Sequence, residues 1–221
     1  MFLAFEGIDG SGKTTLTKLV ADRTDMTAVE KKATSSENIF VNEQIKKIYS
    51  ANYPGYNGQY DPLLSFQYWT YLQCVWYSLV YDYSISKHLK NSCDVIVDGW
   101  YYKFCARKIQ EETLSLDEAE KIFLHVHKPD QVILLDVSAS VAAERKKEFT
   151  HFEAGGHIGK EFTVANFIEY QEGTRAVLLD FARLHDWIVL SVQPGDSAES
   201  IADLAVLAIR DKKQAVKPDR R

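Results

Sequence analysis

Residues Gly7 to Thr14 read Gly-Ile-Asp-Gly-Ser-Gly-Lys-Thr, an unbroken match to the pattern G-x-x-x-x-G-K-[ST]. No other stretch restricts the fold so tightly. The pattern works where a buried strand ends, the backbone turns on glycines and a helix begins. Phe2 to Phe5 is an apolar strand-like run before it, and Thr14, Leu16, Leu19 and Val20 open a helix after it. The glycines let successive backbone N–H groups turn inward around phosphate oxygens, where a side chain would collide. The helix N-terminus adds a dipole that favours anions. Lys13 brings a point charge to the outer phosphates, and the Thr14 hydroxyl is placed to ligate Mg²⁺. Gly7, Ile8, Asp9, Gly10, Ser11, Gly12, Lys13, Thr14 and Thr15 are thus expected to hold a nucleoside triphosphate.

The rest of the chain follows a repeated β–α order, which predicts a mostly parallel sheet covered on both faces. A P-loop three-layer α/β/α sandwich with a five-stranded sheet and a lid is the expected fold. With 221 residues, 46% of them hydrophobic and 26% charged, the chain can bury one full core, taken as a single domain over 1–211. The tail, 212–221, is basic and reads as a solvated end. A net charge of −5 gives no electrostatic case for nucleic acid as a partner. Cys74, Cys93 and Cys105 are odd in number and lack metal-ligand spacing, which fits reduced thiols in the cytoplasm. No apolar run approaches ~20 residues and the first strand begins at once, so neither a membrane span nor a leader is expected.

Further strands are expected at Met26–Glu30, Cys93–Asp98, Val132–Val137 and Trp187–Val192. Helices are expected from about Leu63 to Leu89, from Ser115 to about His127, over Ala139–Arg145, from Asn166 to about His185 and over Ala198–Arg210. Ser115-Leu116-Asp117-Glu118 reads as a capping box. The stretch Tyr53 to Gly58 is a turn-rich loop.

A P-loop alone does not distinguish a kinase from a GTPase or a motor. A second carboxylate is expected near the metal, at the end of another buried strand, and Asp98 after Val95-Ile96-Val97 is placed for it. Asp136 also ends an apolar strand, but beside Ser138 it reads as a helix-entry residue. Phosphoryl transfer needs positive charge that closes over the γ-phosphate and excludes water. Arg145 and Lys146, followed by Gly155-Gly156, fit such a lid over about 145–165. The aromatic stretch Phe66 to Tyr77 offers a face that could stack a planar base, with Gln67 or Gln73 reading its edge, although most of its rings fit a core or a dimer surface better.

Taken in order, these segments resemble the thymidylate kinase family nearly end to end. Phe5-Glu6-Gly7 to Thr15 is similar to that family's opening loop, including the acidic Asp9, and Cys93 to Tyr101 resembles its strand ending in Asp-Arg-Tyr. Lys128 to Val137 resembles its Pro-Asp strand with the small helix ending at Arg145. Phe152-Glu153 resembles the pair after the lid, and Thr174-Arg175 the helix that follows. The resemblance implies ATP, Mg²⁺ and γ-phosphoryl transfer to a nucleoside monophosphate, dTMP first among them, by a homodimer. It implies Lys13, Asp9, Asp98 and Arg145 as catalytic, Lys146 as a helper on the donor, and Thr14 and Asp98 at the metal. Asp9 would lie near the acceptor's sugar, Phe66 near its base, and Gln193 to Asp196 near adenine.

The departures fall in one place. The family's Asp-Arg-Tyr is here Asp98-Gly99-Trp100, and no arginine occurs between Arg23 and Arg107. Lys31-Lys32-Ala33-Thr34 stands where the family has Glu-Pro-Gly. A bidentate arginine–phosphate contact has no equivalent in glycine or an aromatic ring. Lys103 and Arg107 are the candidates to restore that charge, beside Gln73 and Trp100 as further acceptor-site residues. Two other readings stay open: a same-fold kinase of a nucleoside or other small acceptor, and a non-catalytic nucleotide switch.

Overall fold

The computed structural model describes residues 1–53, 64–146 and 148–215, the side chains of 213–215 excepted. Five parallel strands form one sheet in the order β2-β3-β1-β4-β5. They are β1 (Phe2–Glu6), β2 (Thr27–Val29), β3 (Val95–Asp98), β4 (Gln131–Asp136) and β5 (Ile188–Ser191). The three central strands are buried along almost their whole length, whereas β5, at the edge, alternates between half-buried and exposed positions. That is why Phe-Leu-Ala-Phe, Val-Ile-Val and Val-Ile-Leu-Leu run without polar interruption: helices cover both faces of a parallel sheet.

The helices are α1 (Lys13–Asp22), α2 (Ile39–Asn52), α3 (Phe66–Val80), α4 (Ser86–Lys90), α5 (Tyr102–Gln110), α6 (Leu116–Ile122), α7 (Ala139–Arg145), α8 (Val164–Leu184) and α9 (Ala198–Ala215). A π-helical turn, Tyr81–Ile85, joins α3 to α4, so the long helix expected to Leu89 continues to Lys90 with one wider turn inside it. Its expected start at Leu63 and the loop at 54–58 lie outside the described residues. Ser115 and Glu118 form the reciprocal capping box. The helix behind it stops at Ile122 rather than near His127, and the His127 carbonyl instead accepts the indole N–H of Trp100 at 2.9 Å. Helix α2 has no counterpart in the sequence reading: Val41, Ile45, Ile48, Tyr49 and Asn52 turn one face toward the core, while Ile39 and Phe40 at its start are exposed. Helix α9 continues to Ala215, into the segment expected to be a tail; residues 216–221 are outside the described set. Among the described residues no helix is long and apolar enough to cross a membrane.

This topology puts Glu6, Asp98 and Asp136 at the C-terminal edge of three neighbouring strands, where open α/β sheets bind ligands. Asp136 is held in an ion pair with Arg175 on α8 at 2.6 Å, while Ser138 caps α7 through the Val141 N–H.

Candidate active site

The helix N-termini divide into two kinds. Side chains of Asn38, Ser65, Ser115, Ser138 and Thr163 cap α2, α3, α6, α7 and α8 by accepting a backbone N–H. Helix α1, like α4 and α5, has no side-chain cap. It is entered through Gly12 at φ 95°, after Gly10 at φ 83°, and its first-turn N–H groups are left to a ligand. A Cβ on Gly10 would lie 2.7 Å from the Ala142 carbonyl oxygen, so the loop seats against α7 only with glycine there. Lys13 folds back over the loop and donates to the carbonyls of Gly7 (2.8 Å) and Ile8 (2.7 Å) and to Ser11 Oγ (3.2 Å). Burial, and then the nearby Lys103 ammonium, push its pKa down to about 8.

Thr14, the first residue after Lys13, donates its hydroxyl to the Asp98 carboxylate. The hydroxyl and carboxylate are hard oxygen donors of the kind Mg²⁺ takes alongside waters and substrate phosphates. Among the described residues no cluster of three or more His, Cys, Asp or Glu side chains stands ready for a metal.

Two clefts open on this edge. The first, of about 560 Å³, runs along the loop past Thr15, Arg145 and Lys146 to Asp196, Ala198 and Ile201. The second, of about 930 Å³, reaches from Glu6 and Lys31 past Gln73, Tyr77 and Trp100 to Arg107 and Phe152. Asp9, Lys13, Thr14, Asp98 and Lys103 line both, so the two clefts meet at the loop lysine.

Asp9 anchors the junction. It pairs with Lys103 at 2.6 Å and with Arg107, and accepts from Gln171 Nε2 at 3.2 Å, while its own N–H donates to Gln171 Oε1 at 3.0 Å. Burial would raise the carboxyl's pKa, but Lys103, Arg107 and Lys13 overcome that and hold it far below the usual carboxylate range. Arg107 also lies over the Phe152 ring, 4.7 Å from its centroid. Lys103 and Arg107 therefore line the second cleft, but with their charge already engaged by Asp9.

Gln73 and Trp100 line the second cleft too. Gln73 Nε2 donates to Asn52 Oδ1 at 2.6 Å; Trp100 is buried, its carbonyl accepting from the Tyr77 hydroxyl at 2.9 Å. Phe66 is not brought there. It opens α3 half-buried, packs on the hydrophobic core and is not among the residues that line either cleft. Arg145 is exposed at the end of α7 beside the first cleft, and Lys146 is tied to Glu153 at 2.7 Å. The segment after them makes two short 3-10 turns, with Gly155 and Gly159 left-handed, and Gln171 holds the Glu153 carbonyl at 2.8 Å.

Three residues without a place in the sequence reading stand out. Glu6 is wholly buried; one oxygen accepts the Trp100 N–H at 2.6 Å and the other has no hydrogen-bond partner among the described residues. Burial pushes its pKa up to about 7, opposed by the Trp100 N–H and by Lys31, Lys13 and Lys103. Lys31 donates to the carbonyls of Asp98 and Gly99. Gln171 ties the loop to α8. An acid ending an apolar strand was a visible signal for Glu6; the signal for Lys31 was that positions 31 and 99 both depart from the family pattern.

The thymidylate kinase family model matches residues 5–195. A probable thymidylate kinase of Sulfurisphaera tokodaii is 28% identical over 199 residues, covering 86% of each chain. The family match takes in the loop, the second cleft, the first cleft as far as Lys146 and the strand ends between them, and with it the fold is that of a P-loop nucleotide kinase: the chain belongs to the thymidylate kinase family.

Proposed function

We propose that this kinase transfers the γ-phosphoryl group of ATP to a nucleoside monophosphate, with dTMP as the foremost acceptor. The observation that carries the reading is the junction of the two clefts at Lys13, Thr14 and Asp98. A donor in the loop and an acceptor in the second cleft meet there, and an acceptor phosphate oxygen attacks the γ-phosphorus as its bond to the bridging oxygen breaks, releasing ADP. Lys13 and Arg145 stabilise the charge on the migrating group, and Lys146 assists at the donor. Asp9 acts as a positioning residue by fixing Lys103 and Arg107. Thr14 and Asp98 hold Mg²⁺ and its waters; the ion, when bound, neutralises charge on the donor phosphates. Asp196 and Ile201 lie where the adenine end of ATP would extend.

The aromatic lining of the second cleft, Tyr53, Tyr77, Trp100 and Phe104, suits a planar base. The family's usual homodimer and cytoplasmic setting complete the proposal. The test is ADP release from ATP with dTMP, dUMP, dCMP and thymidine as separate acceptors. Turnover led by dTMP supports the reading. Turnover with thymidine alone would transfer it to a nucleoside kinase, and nucleotide binding without any acceptor-dependent transfer would leave a switch.

A further inference from the structure

Lys31 begins a short 3-10 turn, Lys31–Ala33, immediately after β2 at the C-terminal edge of the sheet. The turn is fixed from behind: the Thr34 hydroxyl donates to the Lys31 carbonyl at 2.7 Å and accepts from Ser84 Oγ at 2.9 Å. So placed, the Lys31 side chain crosses to β3 and donates two of its ammonium protons to the carbonyls of Asp98 and Gly99. Gly99 is left-handed, at φ 75°, and a Cβ built on it would lie 3.4 Å from Lys31 Nζ and 3.9 Å from Glu6 Oε2. A long side chain at position 99 would have to leave through the space that this ammonium occupies. The absence of a side chain at 99 and the presence of a lysine at 31 are sterically matched.

The neighbours differ in how far their charge is committed. Lys103 and Arg107 face a buried carboxylate, Asp9, in direct ion pairs. Lys31 makes no ion pair within 4.0 Å among the described residues; neutral carbonyls hold it. The carboxylates of Asp98 and Glu6 act on it at longer range, and Tyr77 lies beneath it with its ring centroid 5.9 Å away. Along the cleft as a whole, cationic side chains outnumber carboxylates. An anion entering there displaces no salt bridge at Lys31, whereas at Lys103 or Arg107 it competes with Asp9.

We propose that Lys31, in the room left by Gly99, binds the phosphate of the acceptor and so selects a phosphorylated acceptor over a nucleoside. The inference rests on the proposed transfer to a nucleoside monophosphate. It goes further by assigning the recognition of the phosphate to one side chain outside the arginine pattern of the family.

The experiment compares wild type with Lys31→Met, Lys31→Gln and Lys31→Arg. Steady-state constants are measured for ATP and dTMP, and equilibrium binding for dTMP and thymidine. Lys31→Met and Lys31→Gln should raise the dTMP KM roughly 10- to 100-fold, as expected for losing one charged hydrogen bond. The ATP KM and the thymidine affinity should stay within about twofold, and Lys31→Arg should recover most of the dTMP affinity. Glutamine still offers N–H donors to the two carbonyls, so it separates a role in holding the turn from a role in binding phosphate. A dTMP KM within about twofold of wild type in Lys31→Gln, or equal weakening of dTMP and thymidine, would overturn the inference. Wild-type protein inert toward every nucleoside monophosphate would remove the underlying reading, and the inference with it.

Discussion

The two clefts, proposed as the donor and acceptor halves of this site, are built by different means. The donor half is almost one peptide: residues 7–15 supply the turn, the lysine, the hydroxyl and the open helix end, with side chains from α7 and the start of α9 closing its sides. The acceptor half draws on β1, the turn after β2, α2, α3, the β3–α5 corner and the segment around Phe152. A contiguous loop depends on the backbone and tolerates little change. A surface assembled from separate segments can lose a charge at one and regain it at another, and the pair Gly99 and Lys31 has that form.

The largest effect expected from breaking this comparison is on the donor side. Lys13→Ala should lower kcat by ~10²-fold or more, since the ammonium acts on charge that develops only during transfer. Stopped-flow or coupled ADP assays with saturating substrates measure it, and unchanged turnover would refute the scheme for both halves.

At the junction, Asp9→Asn removes the carboxylate shared by Lys103 and Arg107 and leaves two partly buried cations facing each other. A loss of about 2 kcal/mol in urea unfolding is expected, less than for a fully enclosed pair because water reaches Lys103. A change below about 0.5 kcal/mol would mean that Asp9 does not anchor the junction.

On the acceptor side, Glu6 should make itself felt through pH. Burial holds its folded pKa at about 7, above the ordinary value of 4.5 for a glutamate. Its contribution to stability is thus fully present below pH 4.5 and is lost as pH rises through 7. Glu6→Gln, neutral throughout, should gain on wild type by ~1–2 kcal/mol between pH 4.5 and 8, with most of the gain complete by pH 7. Denaturation midpoints at four pH values check it; a difference between the two proteins that is flat with pH would show that Glu6 stays charged in the fold. The smallest effect expected is at Phe66: Phe66→Leu should leave the dTMP KM within about twofold, and a large rise would return this ring to the base-binding face.

These contrasts also explain what could be read from the chain alone. The central strands, the capping box and the loop are local in origin, set by apolar runs and by spacings of a few residues, and they stand where the sequence predicts them. Helix α2 escaped notice because its first apolar residues, Ile39 and Phe40, are exposed, and its inward face mixes Val41, Ile45, Ile48 and Tyr49 with the polar Asn52. Phe66 was set near the acceptor's base by the family resemblance, and its packing against the core is a long-range feature that the motif does not carry. Lys103 and Arg107 were legible as cations near the acceptor, yet their capture by Asp9 spans 94 and 98 residues of sequence. Lys31 was visible only as a mismatch, since its meaning depends on a glycine 68 positions away.

The central claim is that the acceptor half, though rewritten, still takes a nucleoside monophosphate from which the donor half makes a diphosphate. Product analysis by ³¹P NMR, with ATP, Mg²⁺ and either dTMP or thymidine in parallel, tests it most directly. The account predicts dTDP and ADP in equal amounts from dTMP, and no phosphorylation of thymidine. Formation of dTMP from thymidine, with dTMP itself left unchanged, would contradict it.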